Sequence, residues 1–392
     1  MRMRKITDSV IICVFLAVIA LVPILTLAEE KVGFSPYENR RLAGVPEYTE
    51  AAFWSGDYFR AWETALSDHV YKRDMWLRNY VWAQLRLLRR SVVNGVLLTE
   101  ETLLSYIPLE ERRYDYNWLA GNRADGYAQL NEAVKSYGGV FLYVGVPEQF
   151  SMLRDYYPEG SFKSEYTLQA REECFFAALE SRGIPYLDMH AEFTAVGNLL
   201  HYYTKSDHHY NLYGALYTTR EIERELQALG CEVDFTLPEE SDIYALPNPF
   251  LGSRGRKLFD MSPHQDQFLF YDCTVPFTRE VNGQMLDPVL ALLMGGDEAP
   301  LGYGNYMGGD FAETVIRTDR ENLPNSLIFG DSFTNTVEMF YFTGFNETRA
   351  LDLRYYETMG ILEYVETHRP EVVICVINDT FYLSETGNGL IY

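Results

Sequence analysis

Three nearly unbroken apolar runs set the architecture open to this chain: residues 140–144, 326–329 and 372–377. None shows the polar alternation of a strand with one wet face, so each reads as a strand buried on both faces. Such strands need helices above and below the sheet. The intervals supply them. A helix is expected at 117–137, before the first run. Another at 165–182 precedes a strand at 184–188. A third begins after His209, where Leu212, Leu216, Ile222, Leu226 and Leu229 keep helical spacing and Gly230 is a C′ residue. A helix over 334–342, a strand at 348–353 and a helix at 355–367 lead to the last run. Strand, helix, strand at this spacing predicts an α/β fold with a central parallel sheet. Residues 231–320 break the pattern with Pro, Gly and aromatics, as in 246–250 and 301–306, and read as a β-rich insertion decorating the sheet.

Residues 10–28 are almost entirely apolar and follow Arg2, Arg4 and Lys5. As a helix they span roughly 28 Å, about one bilayer core. The charge flank puts residues 1–9 in the cytoplasm and the rest of the chain outside. A transmembrane anchor and a signal peptide cleaved after Thr26-Leu27-Ala28 both fit; the length favours the anchor. Residues 29–110 read as a juxtamembrane and helical lead-in. Two amphipathic helices fall within 51–90, broken near Asp68 to Asp74, and an extended hairpin-like stretch covers 92–107. Residues 111–392 form the main domain.

The net charge is −23, which excludes tracking of a nucleic-acid backbone and repels anionic surfaces wherever no local basic patch exists. Arg254, Arg256 and Lys257 form one candidate patch for an anionic glycan, against the alternative of a solvated loop. Cys174, Cys231, Cys273 and Cys375 follow the apolar helix, with no Cys-x-x-Cys. Disulfides and buried thiols both remain open.

The chemistry centres on Gly330-Asp331-Ser332-Phe333. Ser332 stands between a buried strand and a helix, where helix N–H groups stabilise an oxyanion; an ordinary N-cap serine occupies the same kind of position. Asp207-His208-His209 supplies a base, His209, and a residue two positions away to orient it, Asp207. The same residues are metal-ligand types, but no third ligand cluster stands at workable spacing, so neither a metal nor another cofactor is expected. Asn378 and Arg354 each end a strand. Asn378 is either a second oxyanion donor or a turn residue, and Arg354 either binds substrate or pairs with Asp352.

Five stretches in order carry a resemblance: Glu38-Asn39-Arg40-Arg41-Leu42, Asp207-His208-His209-Tyr210, Phe250-Leu251-Gly252-Ser253, Gly330-Asp331-Ser332-Phe333 and Asp352-Leu353-Arg354-Tyr355-Tyr356. Together they resemble the DHHW family of bacterial exported proteins, and through it the SGNH-hydrolase-like domains of the alginate O-acetylation proteins AlgX and AlgJ. Tyr210 stands where the family has its tryptophan. The resemblance implies a flavodoxin-like three-layer sandwich with permuted motif order, the Asp-x-His element preceding the serine. It also implies the roles: Ser332 nucleophile, His209 base, Asp207 orienter. Residues 371–379 are similar to the block whose asparagine completes the oxyanion hole, here Asn378. The glycine of another block has no counterpart, and Arg354 stands at the comparable strand end. The implied activity is acetyl transfer to or from a hydroxyl of a cell-surface or secreted polysaccharide. The implied partner is a membrane-bound O-acyltransferase that supplies acetyl groups. A plain acetylesterase shares the same triad, and a non-catalytic glycan-binding or assembly protein shares the fold.

Overall fold

The computed structural model describes residues 2–106, 115–159, 165–293 and 295–384. The expected boundary at 110/111 and residue Ile107 lie outside them. The chain divides into two units, Met1–Asn94 with Arg256–Ser262, and Gly95–Gly255 with Pro263–Tyr392.

In the first unit a helix covers Arg2–Ala28, and its part Val10–Ala28 is the one described helix long and apolar enough to cross a membrane. The expected helical pair is three helices, Glu50–Ser55, Asp57–Asp68 and Arg73–Trp82, the last running into a π-turn at Ala83–Leu87. Gly56 adopts φ +84° between the first two and so ends one helix as it starts the next.

The second unit holds an eight-stranded sheet. In chain order its strands are β1 (Val140–Val146), β2 (Tyr186–Asp188), β3 (Thr278–Val281), β4 (Gln284–Leu286), β5 (Glu313–Arg317), β6 (Ser326–Gly330), β7 (Glu347–Asp352) and β8 (Val372–Asn378). They lie side by side as β4-β3-β5-β7-β6-β8-β1-β2. From β7 to β2 every pairing is parallel. The apolar runs β6, β8 and β1 are the central strands, as continuous burial on both faces requires.

The sheet is mixed rather than wholly parallel. The insertion does more than decorate it, since β3, β4 and β5 extend it antiparallel beyond β7. The overlooked signal is Asn282-Gly283, with φ of 47° and 78°, a two-residue hairpin turn joining β3 to β4.

Strand alternation sorts the two faces. Phe141, Tyr143, Leu327, Phe329, Val373 and Cys375 pack in one core with α1 (Tyr116–Ser136), α2 (Glu165–Glu180) and α5 (Ile361–His368). Leu142, Val144, Ile328 and Ile374 alternate with them on the other face, equally buried. The helices α3 (Leu212–Ala228) and α4 (Thr334–Tyr341) pack against each other outside that first core. The last helix starts at Ile361, six residues later than expected at 355. Tyr355 and Tyr356 instead donate their N–H groups to the Asp352 carbonyl in a turn, and Gly360, a poor interior residue, stands at the N-cap. All five cysteines are free thiols.

Candidate active site

The site lies wholly in the second unit, at the C-terminal ends of the parallel strands. There β6 leads to Ser332, β7 to Arg354 and β8 to Asn378, while the loop before α3 brings Asp207 and His209. Gly330 has to be glycine, because a Cβ there would run into the Val376 carbonyl of β8. This close approach lets the chain turn sharply from β6 toward α4. Asp331 is the brace of the turn. Its Oδ1 accepts the Phe333 N–H (2.9 Å), and its Oδ2 accepts the Asn378 N–H (2.8 Å) and Asn378 Nδ2 (2.7 Å). Burial raises the Asp331 pKa, opposed by these donors. Ser332 thus stands two residues before α4, and its own N–H has no acceptor among the described residues.

The loop of residues 204–211 is pinned from every side. An antiparallel bridge between Tyr203 and Tyr210 closes its base. Thr204 Oγ1 donates to the His209 carbonyl (2.9 Å), and Asp266 accepts the N–H groups of Lys205 (2.8 Å) and Ser206 (2.7 Å). Gly252 passes so close to the Ser206 carbonyl that a Cβ would lie 2.3 Å from it. That approach aims the Ser253 N–H at Asp207 Oδ2 (2.5 Å).

The three side chains form a continuous chain of hydrogen bonds. Asp207 Oδ1 lies 2.6 Å from His209 Nδ1, and His209 Nε2 lies 2.7 Å from Ser332 Oγ. The His209 ring is sandwiched: Tyr303 stacks on it at 3.6 Å and 4°, and Phe333 packs at 4.6 Å. Tyr303 is itself fixed by Thr336 Oγ1 (2.6 Å).

Burial, with His208 beside it, pushes the His209 pKa down to about 3, against the pull of Asp207. Burial would raise Asp207, but both histidine rings outweigh it and hold the carboxyl well below its ordinary value. The pair at neutral pH is therefore a carboxylate beside a neutral imidazole whose Nδ1–H points at the carboxylate. Nε2 is left to accept a proton from the serine.

The two histidines separate less cleanly than residue alternation implied. His208 Nδ1 also comes within 3.1 Å of Asp207 Oδ1, besides bonding Ser253 Oγ at 2.9 Å. Contact with Ser332 distinguishes them, and only His209 makes it. Asp207, His208 and His209 place ligand-type atoms within 4.8 Å of one another. Both Asp207 oxygens already accept hydrogen bonds, and His209 Nε2 faces the serine.

The remaining sequence candidates take other places. Asn378 Nδ2 bonds Asp331, and Asn378 Oδ1 accepts the Thr380 N–H (3.0 Å), so this residue ties β8 to the nucleophile turn. Arg354 Nε and Nη2 bond Asp352, and Nη2 also reaches Asp310 Oδ1 (3.1 Å). Tyr210 is buried beneath the site, donating its hydroxyl to the Phe333 carbonyl (2.6 Å).

Arg254 overturns the basic-patch expectation, since it is only 3% exposed. Its guanidinium donates to the Asp207 carbonyl, to Gln149 Oε1 (2.5 Å) and to Glu148 Oε1 (3.1 Å). A planar fork of five donors suits such a job better than a solvated charge does. Sequence reasoning missed Arg254, Tyr303 and Gln149 as parts of the site. Position beside Gly252-Ser253 was the available signal for Arg254; Tyr303 and Gln149 had none.

Comparison with known proteins bears on the fold. Residues 113–240 match the family model of the SGNH hydrolase-like domain of the acetyltransferase AlgX, a stretch containing Asp207 and His209 but not Ser332. Bacillus cereus PatB1, solved with a sulfonyl adduct, superposes with a TM-score of 0.60 at 18% identity, over 73% of this chain and 95% of that one. A DHHW family protein from Eubacterium siraeum superposes with a TM-score of 0.55 at 19% identity, over 75% and 94%. No curated protein sequence matches significantly. The chain thus has the SGNH hydrolase-like fold, shares it with a DHHW family protein, and carries in residues 113–240 the signature of the AlgX SGNH hydrolase-like domain.

Proposed function

We propose that this protein is an extracytoplasmic, serine-dependent O-acetyltransferase acting on hydroxyl groups of a cell-surface or secreted polysaccharide. The observation that carries the reading is the unbroken Asp207–His209–Ser332 chain, with contacts of 2.6 Å and 2.7 Å. Ser332 Oγ attacks the acetyl carbonyl of a donor ester as its proton passes to His209 Nε2. The oxyanion faces the Ser332 N–H, two residues before α4. A second donor is Arg354 Nη1, which has no partner among the described residues and whose charge is felt at His209 and Asp331. Collapse expels the donor's alkoxide, which takes the proton back from His209 and leaves acetyl-Ser332. A sugar hydroxyl then gives its proton to His209 and attacks the acetyl carbon; the bond to Ser332 Oγ breaks, and Oγ takes the proton back from His209. Water in place of the sugar gives an acetylesterase. A membrane-bound O-acyltransferase would supply the acetyl groups, and Val10–Ala28 would anchor the protein beside it. PatB1, a protein of this fold, was solved with a sulfonyl adduct, and that makes a sulfonyl reagent the probe to use here.

The test uses the full chain in detergent, an aryl sulfonyl fluoride, and an acetyl ester donor with oligosaccharide acceptors. Wild type should be labelled at Ser332 and should move acetyl groups to sugar. Ser332→Ala should do neither while unfolding within about 1 kcal/mol of wild type, the worth of one hydrogen bond. Full transfer by Ser332→Ala removes the nucleophile assignment. Acceptor binding without labelling or turnover in wild type would select the non-catalytic glycan-binding alternative.

A further inference from the structure

The first unit carries a basic, aromatic helix beside the end of the apolar one. Between residues 72 and 90 stand Lys72, Arg73, Arg78, Arg86, Arg89 and Arg90 against a single acid, Asp74, in a chain of net charge −23. Arg73–Trp82 and its continuation Ala83–Leu87 make one helical rod, roughly 22 Å long. Its inward face is Leu77, Val81 and Gln84, at i, i+4 and i+7. The outward face is also apolar. Trp76, Tyr80 and Leu87, at i, i+4 and i+11, are 54%, 55% and 66% exposed, with Trp82 and Leu88 beside them at 47% and 58%. Arg78, Arg86, Arg89 and Arg90 are exposed and make no ion pair within 4.0 Å among the described residues, although the Arg78 charge is felt at Asp260.

The rod begins where the apolar helix ends. Tyr71 N–H donates to Thr26 Oγ1 (3.0 Å) and Lys72 N–H to Glu29 Oε2 (3.2 Å), with the Lys72 ammonium 3.9 Å from Glu29. When Val10–Ala28 spans a bilayer, these bonds hold the first turn of the rod at headgroup level. An exposed stripe of Trp, Tyr and Leu flanked by unpaired arginines has there the composition of a helix lying in the interface. Unpaired arginines at that depth meet lipid phosphates directly.

We infer that the rod Arg73–Leu87 and the residues that follow it to Arg90 form an interfacial segment that lies on the membrane and binds anionic lipid headgroups. Trp76, Tyr80 and Leu87 enter the headgroup–acyl boundary, and Arg78, Arg86, Arg89 and Arg90 bind the phosphates. This rests on the anchor reading of Val10–Ala28 given above.

The test reconstitutes the full chain in lipid nanodiscs holding a lipid brominated near the top of its acyl chains, with or without about one third phosphatidylglycerol. Incorporation into the disc reports the anchor by itself; bromine quenching of tryptophan reports the rod. Quenching is expected in the anionic discs at low salt. It should disappear in Trp76→Phe/Trp82→Phe and fall by more than half in Arg78→Glu/Arg86→Glu/Arg89→Glu/Arg90→Glu. The substituted arginines are exposed, and far-ultraviolet circular dichroism verifies that the helices persist. Incorporated protein without quenching overturns the inference and leaves the stripe to a protein partner. Quenching equal in anionic and zwitterionic discs, and unchanged by charge reversal, overturns the headgroup assignment.

Discussion

Replacing Asp207 by Asn separates the two services a triad carboxylate performs, tautomer control and charge. His209 Nδ1 (2.6 Å), His208 N (2.7 Å) and His209 N (3.3 Å) converge on Oδ1, with His208 Nδ1 at 3.1 Å beside them. Ser253 N approaches Oδ2 at 2.5 Å. Asparagine keeps one acceptor oxygen. Turning its NH2 toward Oδ1 sets donor against donor at two backbone amides and forces the ring into the wrong tautomer. Turning it toward Oδ2 creates a single conflict, with Ser253. The second orientation wins, so the variant keeps the productive tautomer and loses only the negative charge. A charge-assisted hydrogen bond exceeds a neutral one by about 1–2 kcal/mol, roughly 5- to 30-fold in rate. The buried conflict with Ser253 costs about 1–3 kcal/mol of stability. We therefore predict a fall in kcat/KM of about 5- to 30-fold for acetyl ester turnover, with a matching loss in urea unfolding. A fall near ten-thousandfold, the signature of a wrong tautomer, would refute the orientation argument. A fall under twofold would refute the charge stabilisation.

Further outcomes follow from the same geometry. His209→Ala should lower the acetyl-transfer rate by several orders of magnitude, whereas His208→Ala, which loses the Ser253 contact, should change KM or stability more than kcat; the reverse pattern would move the base to His208. Because burial pushes His209 down to about 3, the pH–rate profile should show no inflection near 6.5, and a clear one there would contradict the buried, neutral imidazole. The unfolded chain binds more protons than the folded one between about 3 and 6.5, so this group's contribution to stability is whole above that window and is lost as pH falls through it. Arg254→Met should destabilise by about 3–5 kcal/mol, since it removes a buried cation that donates to Gln149, to the Asp207 carbonyl and to the half-buried Glu148 carboxylate; a denaturation midpoint equal to wild type would show that the network relaxes freely.

Much of this protein was legible along the chain, because the physics involved is local. Runs buried on both faces named β1, β6 and β8, helical spacing named α3, and the turn after Phe329 placed Ser332 at a strand-to-helix junction. The Asp-x-His spacing brought Asp207 and His209 together without any tertiary contact. What spacing left open was decided by distant packing. Residue alternation gave His209 to Asp207, but both histidines reach that carboxylate, and only the fold, which brings Ser332 to 2.7 Å of one ring, chooses between them. Arg254 looked like a surface charge because sequence shows an ion and not its partners; four acceptors from three separate stretches of chain, Ser105 Oγ, Glu148 Oε1, Gln149 Oε1 and the Asp207 carbonyl, turned it inward. Asn378 read as either an oxyanion donor or a turn residue, and only the fold showed that one of its amide hydrogens goes to the Asp331 carboxylate. The insertion read as a decoration because strand pairing is a long-range choice, and the edge of β7 was invisible until the sheet existed to offer it. Local pattern set the elements and the triad's residue types. Burial, by stripping water from charges that must then find partners, set which side chain does what.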